Sequence, residues 1–165
     1  MPDALIGLGG NIGDARKTIE QAIALLCDGP DVRLLARSFD YRTRPWGIED
    51  QPHFINACIE LETKIGPHTL FRRCQNIENV LGRDRTAERQ WGPRRIDIDL
   101  LAYDDVLLTT PELTLPHPRL FERAFALVPL AEIVPERMIA GRRVRDAVRE
   151  VDTRGIDRLP PRQHS

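Results

Sequence analysis

The sequence predicts an α+β fold with the element order β-α-β-β-α-β, followed by helical additions. Three observations carry that expectation. Residues 3–9, 32–42, 53–65 and 95–101 read as strands. Residues 14–27 and 67–82 read as helices, because their apolar side chains recur three and four apart. Glycine and proline punctuate the joins between these segments.

The first strand is a short apolar run ending in glycines, with Leu5, Gly7 and Gly9 on one face and Ala4, Ile6 and Leu8 on the other. Its glycine side leaves room for something to approach the backbone. Ile19, Ala22, Ile23 and Leu26 line the first helix, which Gly29-Pro30 stops. In the third strand Ile55, Ala57, Ile59 and Leu61 form the apolar side, and Phe54 and Asn56 share the other with Glu60 and Glu62. Pro67 opens the second helix, Leu70, Cys74, Ile77 and Leu81 line it, and Gly82 ends it. This order is the ferredoxin-like arrangement, whose helices cover one sheet face and leave the other available. Residues 109–117 are rich in turn formers. A helix is expected from about Pro118 to Ile133, kinked or split at Pro129, and a short amphipathic stretch near 144–151. Residues 1–151 are expected to form one domain, and the polar tail 152–165 to be loosely ordered.

A length of 165 residues suffices for one domain with a real core. The net charge of −1 gives no overall attraction for nucleic acid or a membrane surface. Cys27, Cys58 and Cys74 are scattered and form no C-x-x-C, which fits reduced thiols in a cytoplasmic protein. The histidines have no zinc spacing, and neither a signal peptide nor a membrane span is read in the sequence. A monomer is the default, since no apolar surface helix demands a partner.

The most informative stretch is the fourth strand. Ile96, Ile98 and Leu100 fall on one face, so Asp97 and Asp99 stand side by side on the other. Paired carboxylates in a strand repel unless a cation or a hydrogen-bond network compensates. A hard cation such as Mg²⁺ is the natural compensation, and Mg²⁺ commonly brings phosphates. Arg83, Arg85, Arg89, Arg94 and Arg95 lie just upstream, with the side chain best suited to forked phosphate contacts. A lone D-x-D would be read as a solvated strand face; five arginines leading into it favour the functional reading.

Other patterns leave alternatives open. The run from Gly7 to Gly13 resembles a phosphate loop but matches neither the P-loop nor the strict dinucleotide pattern, and it fits a tight strand-to-helix turn equally well. Thr43, Arg44, Pro45, Trp46 and Gly47 read as a loop with an exposed aromatic. Phe54 beside Asn56 suits stacking a flat heterocycle and reading its edge, or Phe54 packs under a loop. Gln75 and Glu78 share a helix face, for which a solvated role is the simpler reading from spacing alone. His117, with Arg119, Arg123 and Phe125 following, suits a polyphosphate pocket, and His117 alone suits a capping or core role equally well.

Taken in order, the blocks GLGGNIGD, YRTRPWG, QPHFINACIELET, LGRDR, RQWGPRRIDIDLL and LPHPRLFERAFALVPL resemble the 6-hydroxymethyl-7,8-dihydropterin pyrophosphokinases of the folate pathway, from residue 4 to about 137. The resemblance implies a ferredoxin-like fold with C-terminal additions. It implies transfer of a pyrophosphoryl group from ATP to the hydroxymethyl oxygen of a reduced pterin, releasing AMP. It implies that Asp97 and Asp99 hold two Mg²⁺ ions and that Arg83 and Arg94 neutralise charge on the phosphates. Phe54 and Phe125 would sandwich the pterin, Asn56 would bond its edge, and Thr43, Pro45 and Trp46 would stand beside it. Gln75, Glu78, Arg83, Arg85, Trp91, Arg94, Ile98, Thr114, His117 and Arg123 would surround ATP. Residues 10–14, 43–52 and 83–93 would be loops that close over the substrates.

Three positions depart from the pattern: Thr86 stands where some members carry lysine, Gln90 is extra relative to shorter members, and Pro118 replaces a tyrosine. The competing class is a ferredoxin-like nucleotide- or RNA-binding module without catalysis. Such a module wants a basic, aromatic sheet face, where this chain places two aspartates.

Overall fold

The computed structural model describes residues 1–43, 52–82 and 95–162. The core of the fold runs β1 (Asp3–Gly10), α1 (Ala15–Leu26), β2 (Val32–Arg37), β3 (Tyr41–Thr43), β4 (Phe54–Thr63), α2 (Pro67–Val80) and β5 (Asp97–Tyr103). All its strand pairings are antiparallel: β4 pairs β1, β1 pairs β5, and β2 and β3 both pair β4 on its other side. The spatial order β5-β1-β4-β2/β3 is that of the expected β-α-β-β-α-β sandwich.

Alternation along the strands separates two apolar clusters. Ala4, Ile6 and Leu8 of β1 pack with Ile59, Leu61, Ile98 and Leu100 against Ile19, Ala22 and Leu26 of α1 and Leu70, Cys74 and Ile77 of α2. Leu5, Cys58 and Leu101 point the other way, toward α3 (Ala124–Ile133) and α4 (Val144–Val148), where Leu127, Leu130 and Val144 meet them. Each such fully buried leucine or isoleucine contributes about 1.5–3 kcal/mol of transfer free energy. The additions therefore cover one end of the face that α1 and α2 leave bare. The other end of that face stays open as a cavity.

The segment 32–42 forms two strands, not one. The break at residues 38–40 is a polar corner: Ser38 N–H donates to Cys58 O and the Ser38 hydroxyl accepts from Cys58 N–H, both at 2.9 Å. Asp40, buried at the same corner, binds Arg16 Nε at 2.9 Å and Arg37 Nη1 at 3.1 Å. Glu132 of α3 ties down the far side, accepting from Tyr41 Oη at 2.6 Å and from Phe39 N–H at 3.0 Å.

Residues 108–115 form a small hairpin, β6 (Leu108–Thr109) with β7 (Thr114–Leu115). The helix expected over 118–133 is corrected to a short 3-10 turn, Leu120–Glu122, followed by α3. The break falls at Arg123, whose extended backbone (φ −104°, ψ 91°) separates the two, and not at Pro129. Pro129 is buried within α3, where its missing N–H leaves one carbonyl without its helical donor while the ladder continues. A second small hairpin, β8 (Met138–Ile139) with β9 (Arg142–Arg143), leads into α4.

The tail from Asp152, expected to be loosely ordered, instead returns to the sheet. Its β10 (Asp157–Arg158) pairs antiparallel with β3 and becomes the edge of the sheet. A polar composition did not prevent order here because backbone pairing and arginine–carboxylate contacts replace an apolar face. Among the described residues no helix is long and apolar enough to cross a membrane.

Candidate active site

Antiparallel pairing sets the middle of β1 between the ends of β4 and β5 that carry polar side chains. Gly9 lies opposite Asn56 on one side and Asp97 on the other, and Gly7 lies opposite Cys58 and Asp99. On this face β1 has no side chain, so its neighbours lean over it. A Cβ placed on Gly9 would fall 2.4 Å from Asn56 Oδ1. Glycine at this position is therefore what lets the Asn56 amide lie across the strand. Asn56 is buried, and its Nδ2 donates to Thr43 Oγ1 at 2.9 Å. That bond fixes the amide plane and leaves the rest of its edge toward the cavity.

The cavity encloses about 220 Å³. Its floor is Gly7, Gly9, Cys58 and Leu101. Its walls are Thr43, Phe54 and Asn56 on one side and Asp97, Asp99, Arg123 and Phe125 on the other. Phe54 and Phe125 are both half-buried in its lining, two aromatic side chains of the kind that stack on a flat ligand. Arg123 lies over the Phe125 ring at 5.6 Å and donates from Nη1 to Asp99 Oδ2 at 3.2 Å. Burial pushes the Cys58 thiol well above its ordinary pKa, with the Asp99 and Glu132 carboxylates adding to the rise. This thiol, which contacts Ala126 O at 3.4 Å, is a packed floor and not a nucleophile.

A second cavity, also about 220 Å³, opens on the far side of β5. Phe71, Ile98, Asp99, Thr114 and His117 line it. Burial lowers the His117 pKa, and the Arg123 and Arg119 cations lower it further against the pull of Asp99. His117 Nδ1 accepts from Arg119 N–H at 3.2 Å, which leaves the proton of the neutral ring on Nε2 as a donor.

Asp99 is shared by the two cavities. The structure thus brings Thr43, Phe54, Asn56, Asp97, Asp99, Arg123 and Phe125 to the first, and Ile98, Thr114 and His117 to the second. Glu78 lines neither. It is buried beneath β5, where its Oε2 accepts from Ile98 N–H at 2.9 Å and so holds the backbone between the two aspartates. Gln75 is half-buried on the same helix and likewise lines neither cavity. Pro45, Trp46, Arg83, Arg85, Trp91 and Arg94 lie outside the described residues. Of the loops 10–14, 43–52 and 83–93, the described part includes a buried Asn11 whose Nδ2 donates to Pro52 O at 2.9 Å. Sequence reasoning passed over Cys58, Leu101 and Phe71. The first two share faces with Asn56 and with Asp97 and Asp99 at i, i+2 spacing, and so were within reach; nothing in the local pattern singled out Phe71.

Asp97 and Asp99 are the residues that could hold a metal. Among the described residues no cluster of three or more histidine, cysteine or carboxylate side chains gathers. Two partly exposed carboxylates at a cavity fit Mg²⁺, which commonly binds through one or two carboxylates and completes its shell with water and substrate phosphates.

Comparison with known proteins bears on this geometry. The model of the 7,8-dihydro-6-hydroxymethylpterin-pyrophosphokinase family matches residues 5–135. The 2-amino-4-hydroxy-6-hydroxymethyldihydropteridine pyrophosphokinase of Methylorubrum extorquens is 48% identical over 159 residues, 96% of this chain and 99% of that one. The enzyme of the same name from Bacillus subtilis is 45% identical over 130 residues, 79% of this chain and 77% of that one. The crystal structure of wild-type Plasmodium falciparum HPPK-DHPS with pteroate shares the fold, with a TM-score of 0.72 at 14% identity over 90% of this chain. This chain spans 42% of the length of that Plasmodium chain. The chain belongs to the 7,8-dihydro-6-hydroxymethylpterin-pyrophosphokinase family.

Proposed function

We propose that this protein transfers the β,γ-pyrophosphoryl group of ATP to the hydroxymethyl oxygen of 6-hydroxymethyl-7,8-dihydropterin, in folate biosynthesis. A bond forms between that oxygen and the β-phosphorus, and the bond from the β-phosphorus to the α,β-bridging oxygen breaks. The products are the pterin diphosphate and AMP. The observation that carries this reading is the shared carboxylate: Asp99 stands between a cavity walled by two phenylalanines and an asparagine and a cavity bordered by His117 and Thr114. Two substrates held on either side of one strand would meet at that residue, and holding them in line is the largest service a protein can offer this reaction.

The first cavity takes the pterin, with its ring between Phe54 and Phe125 and its edge on Asn56, which Thr43 orients. The second takes ATP, with His117 Nε2–H, Thr114 and the backbone around Ile98 beside it. Gln75 and Glu78 are assigned to the ATP side, Glu78 from beneath β5. Pro45 and Trp46 are assigned to the pterin side. Arg83, Arg85, Trp91 and Arg94 are assigned to ATP, with Arg83 and Arg94 offsetting charge on the phosphates. Arg123, on the Asp99 side of the pterin cavity, is within reach of phosphate as well. Asp97 and Asp99 would hold two Mg²⁺ ions, which when bound neutralise phosphate charge and lower the pKa of the attacking alcohol. The hydroxyl proton goes to Asp97, the carboxylate on the same strand face. The working assembly is a cytoplasmic monomer with three free thiols, its partners ATP and the reduced pterin, with no role for nucleic acid or a membrane. A catalytically silent nucleotide- or RNA-binding module would bind ATP without consuming it. Incubation with Mg²⁺, ATP and the reduced pterin is expected to yield AMP and pterin diphosphate in equal amounts. Binding of ATP with no AMP formed would overturn the reading.

A further inference from the structure

The chain beyond α4 lies past the end of the family match at residue 135, yet it pairs with β3, whose last residue, Thr43, lines the first cavity. Asp157 and Arg158 pair with Arg42 and Tyr41 of β3. Leu159 N–H donates to Asp40 O at 2.9 Å. Arg16 of α1 joins the two, with Nε on Asp40 Oδ2 at 2.9 Å and Nη2 on Pro160 O at 2.7 Å. Arg158 lies over the Phe39 ring at 4.8 Å. Arg162 then closes a fork on the Asp14 carboxylate, with Nη1 on Oδ1 at 3.0 Å and Nη2 on the other oxygen. Asp14 is itself the N-cap of α1, accepting from Lys17 N–H at 3.2 Å.

These contacts lead, one step removed, to two residues of the cavity wall, Thr43 at the end of β3 and Phe54 at the start of β4. β3 is three residues long, and without β10 it would be an edge strand paired with β4 on one side only. Its last residue, Thr43, is the acceptor that orients Asn56. Asp14 lies three residues after Asn11, whose side chain holds the Pro52 carbonyl at the start of the segment leading into β4. Thr43 and Pro52 are the described residues on either side of 44–51. The tail thus braces both.

We propose that β10 and Arg162 are positioning residues for the pterin wall: β10 holds β3, and through Thr43 the Asn56 amide, in the register that recognises the pterin edge, while Arg162 holds Asp14 and the turn whose Asn11 anchors Pro52, two residues before Phe54. The proposal rests on assignment of the first cavity to the pterin. It separates this wall from the ATP side, because β6, β7 and His117 make none of the tail contacts described. A short error in the placement of a recognition group is enough to weaken binding without unfolding the domain.

The test is calorimetric binding of the reduced pterin in the presence of Mg²⁺ and a non-hydrolysable ATP analogue, alongside binding of that analogue alone. Three variants of the full chain are compared: deletion of residues 157–165, Arg162→Ala and Arg162→Lys. The deletion is expected to raise the pterin Kd about tenfold. Arg162→Ala, which removes one exposed fork, should raise it roughly two- to fivefold, with Arg162→Lys between it and wild type. The analogue Kd should stay within about twofold throughout. Arg162→Ala keeps β10 in place and carries the test alone if the deletion fails to fold. Wild-type pterin affinity in Arg162→Ala, or equal losses for pterin and analogue, would overturn the proposal. A wild-type chain that binds the analogue but no pterin would instead overturn the assignment of the cavity.

Discussion

Arg123 Nη1 lies 3.2 Å from Asp99 Oδ2, a guanidinium closing on the one carboxylate that both cavities share. The pairing follows from the break at Arg123, where the extended backbone between the 3-10 turn and α3 lets this side chain turn back to β5. Arg123 is 17% exposed and Asp99 39%, so the pair is partly screened and its stability contribution is modest. Its consequence is electrostatic. The carboxylate that both cavities share carries a counter-cation before any phosphate arrives.

Replacing Arg123 should therefore damage turnover far more than folding. Arg123→Met keeps most of the side-chain stem over Phe125 and removes the charge. Turnover, read as AMP release, is expected to fall on the order of 10²-fold, as for other lost contacts to developing charge. Thermal unfolding should shift by only a few degrees, as for the loss of about 1 kcal/mol in a domain of this size. Turnover equal to wild type would remove Arg123 from the reacting centre.

The close approach of Gly9 to Asn56 makes a second, purely steric prediction. In Gly9→Ala the new Cβ would sit 2.4 Å from Asn56 Oδ1, so the amide must leave its place on Thr43. Pterin affinity is expected to fall by tenfold or more, since a misplaced buried amide costs about 1–3 kcal/mol. Gly7→Ala is the control. Its Cβ would meet Leu101 Cδ1 at 3.5 Å, an ordinary contact, and should cost the protein less stability. Calorimetry with the reduced pterin and thermal melts read both variants. Equal pterin affinity in Gly9→Ala and wild type would mean that Asn56 does not read the ligand edge.

Glu60 predicts a pH effect away from the site. Burial and a hydrogen bond with Asp3 raise its pKa to about 7, against the opposing pull of Arg137, whose Nη2 donates to Glu60 Oε2 at 2.8 Å. The folded protein then holds a proton on Glu60 that the unfolded chain releases from an ordinary carboxyl near 4.5. Unfolding releases a proton between those two values, so this group makes stability fall as pH rises through that window and adds no slope above it. Asp3 and Arg137 face it directly, with Asp104 beside Arg137. His117, whose pKa is lowered, contributes with the opposite sign, so the informative quantity is the difference between Glu60→Gln and wild type. Urea midpoints at pH 5 and pH 7.5 should show wild type losing ground to Glu60→Gln as pH rises. Parallel pH profiles would show that Glu60 carries no such proton.

Much of the fold was legible because strand and helix periods differ. Gly7 and Gly9 facing away from Ile6 and Leu8, and Asp97 and Asp99 facing away from Ile98 and Leu100, could be read from alternation, and the structure keeps those faces. The tail was misread because its order comes from long-range pairs, Arg162 with Asp14 and Asp157 with Arg42, that no local pattern announces. The helix break was expected at Pro129 because proline is a strong breaker, while the actual break falls at Arg123, whose extended backbone no local residue type announces. Glu78 is the most instructive residue of the site. Spacing suggested a solvated face, whereas tertiary packing buries it and gives its carboxylate to the Ile98 N–H between the two aspartates.

The central claim is that Asp97 and Asp99 organise transfer between two substrates held on either side of β5. Single-turnover AMP formation by Asp97→Ala and Asp99→Ala, with Mg²⁺, ATP and the reduced pterin at saturation, tests it most directly. Both variants are expected to keep a wild-type-like thermal transition and form no AMP on the wild-type timescale, a loss of at least about 10³-fold. Wild-type-like AMP formation in either one would contradict the account.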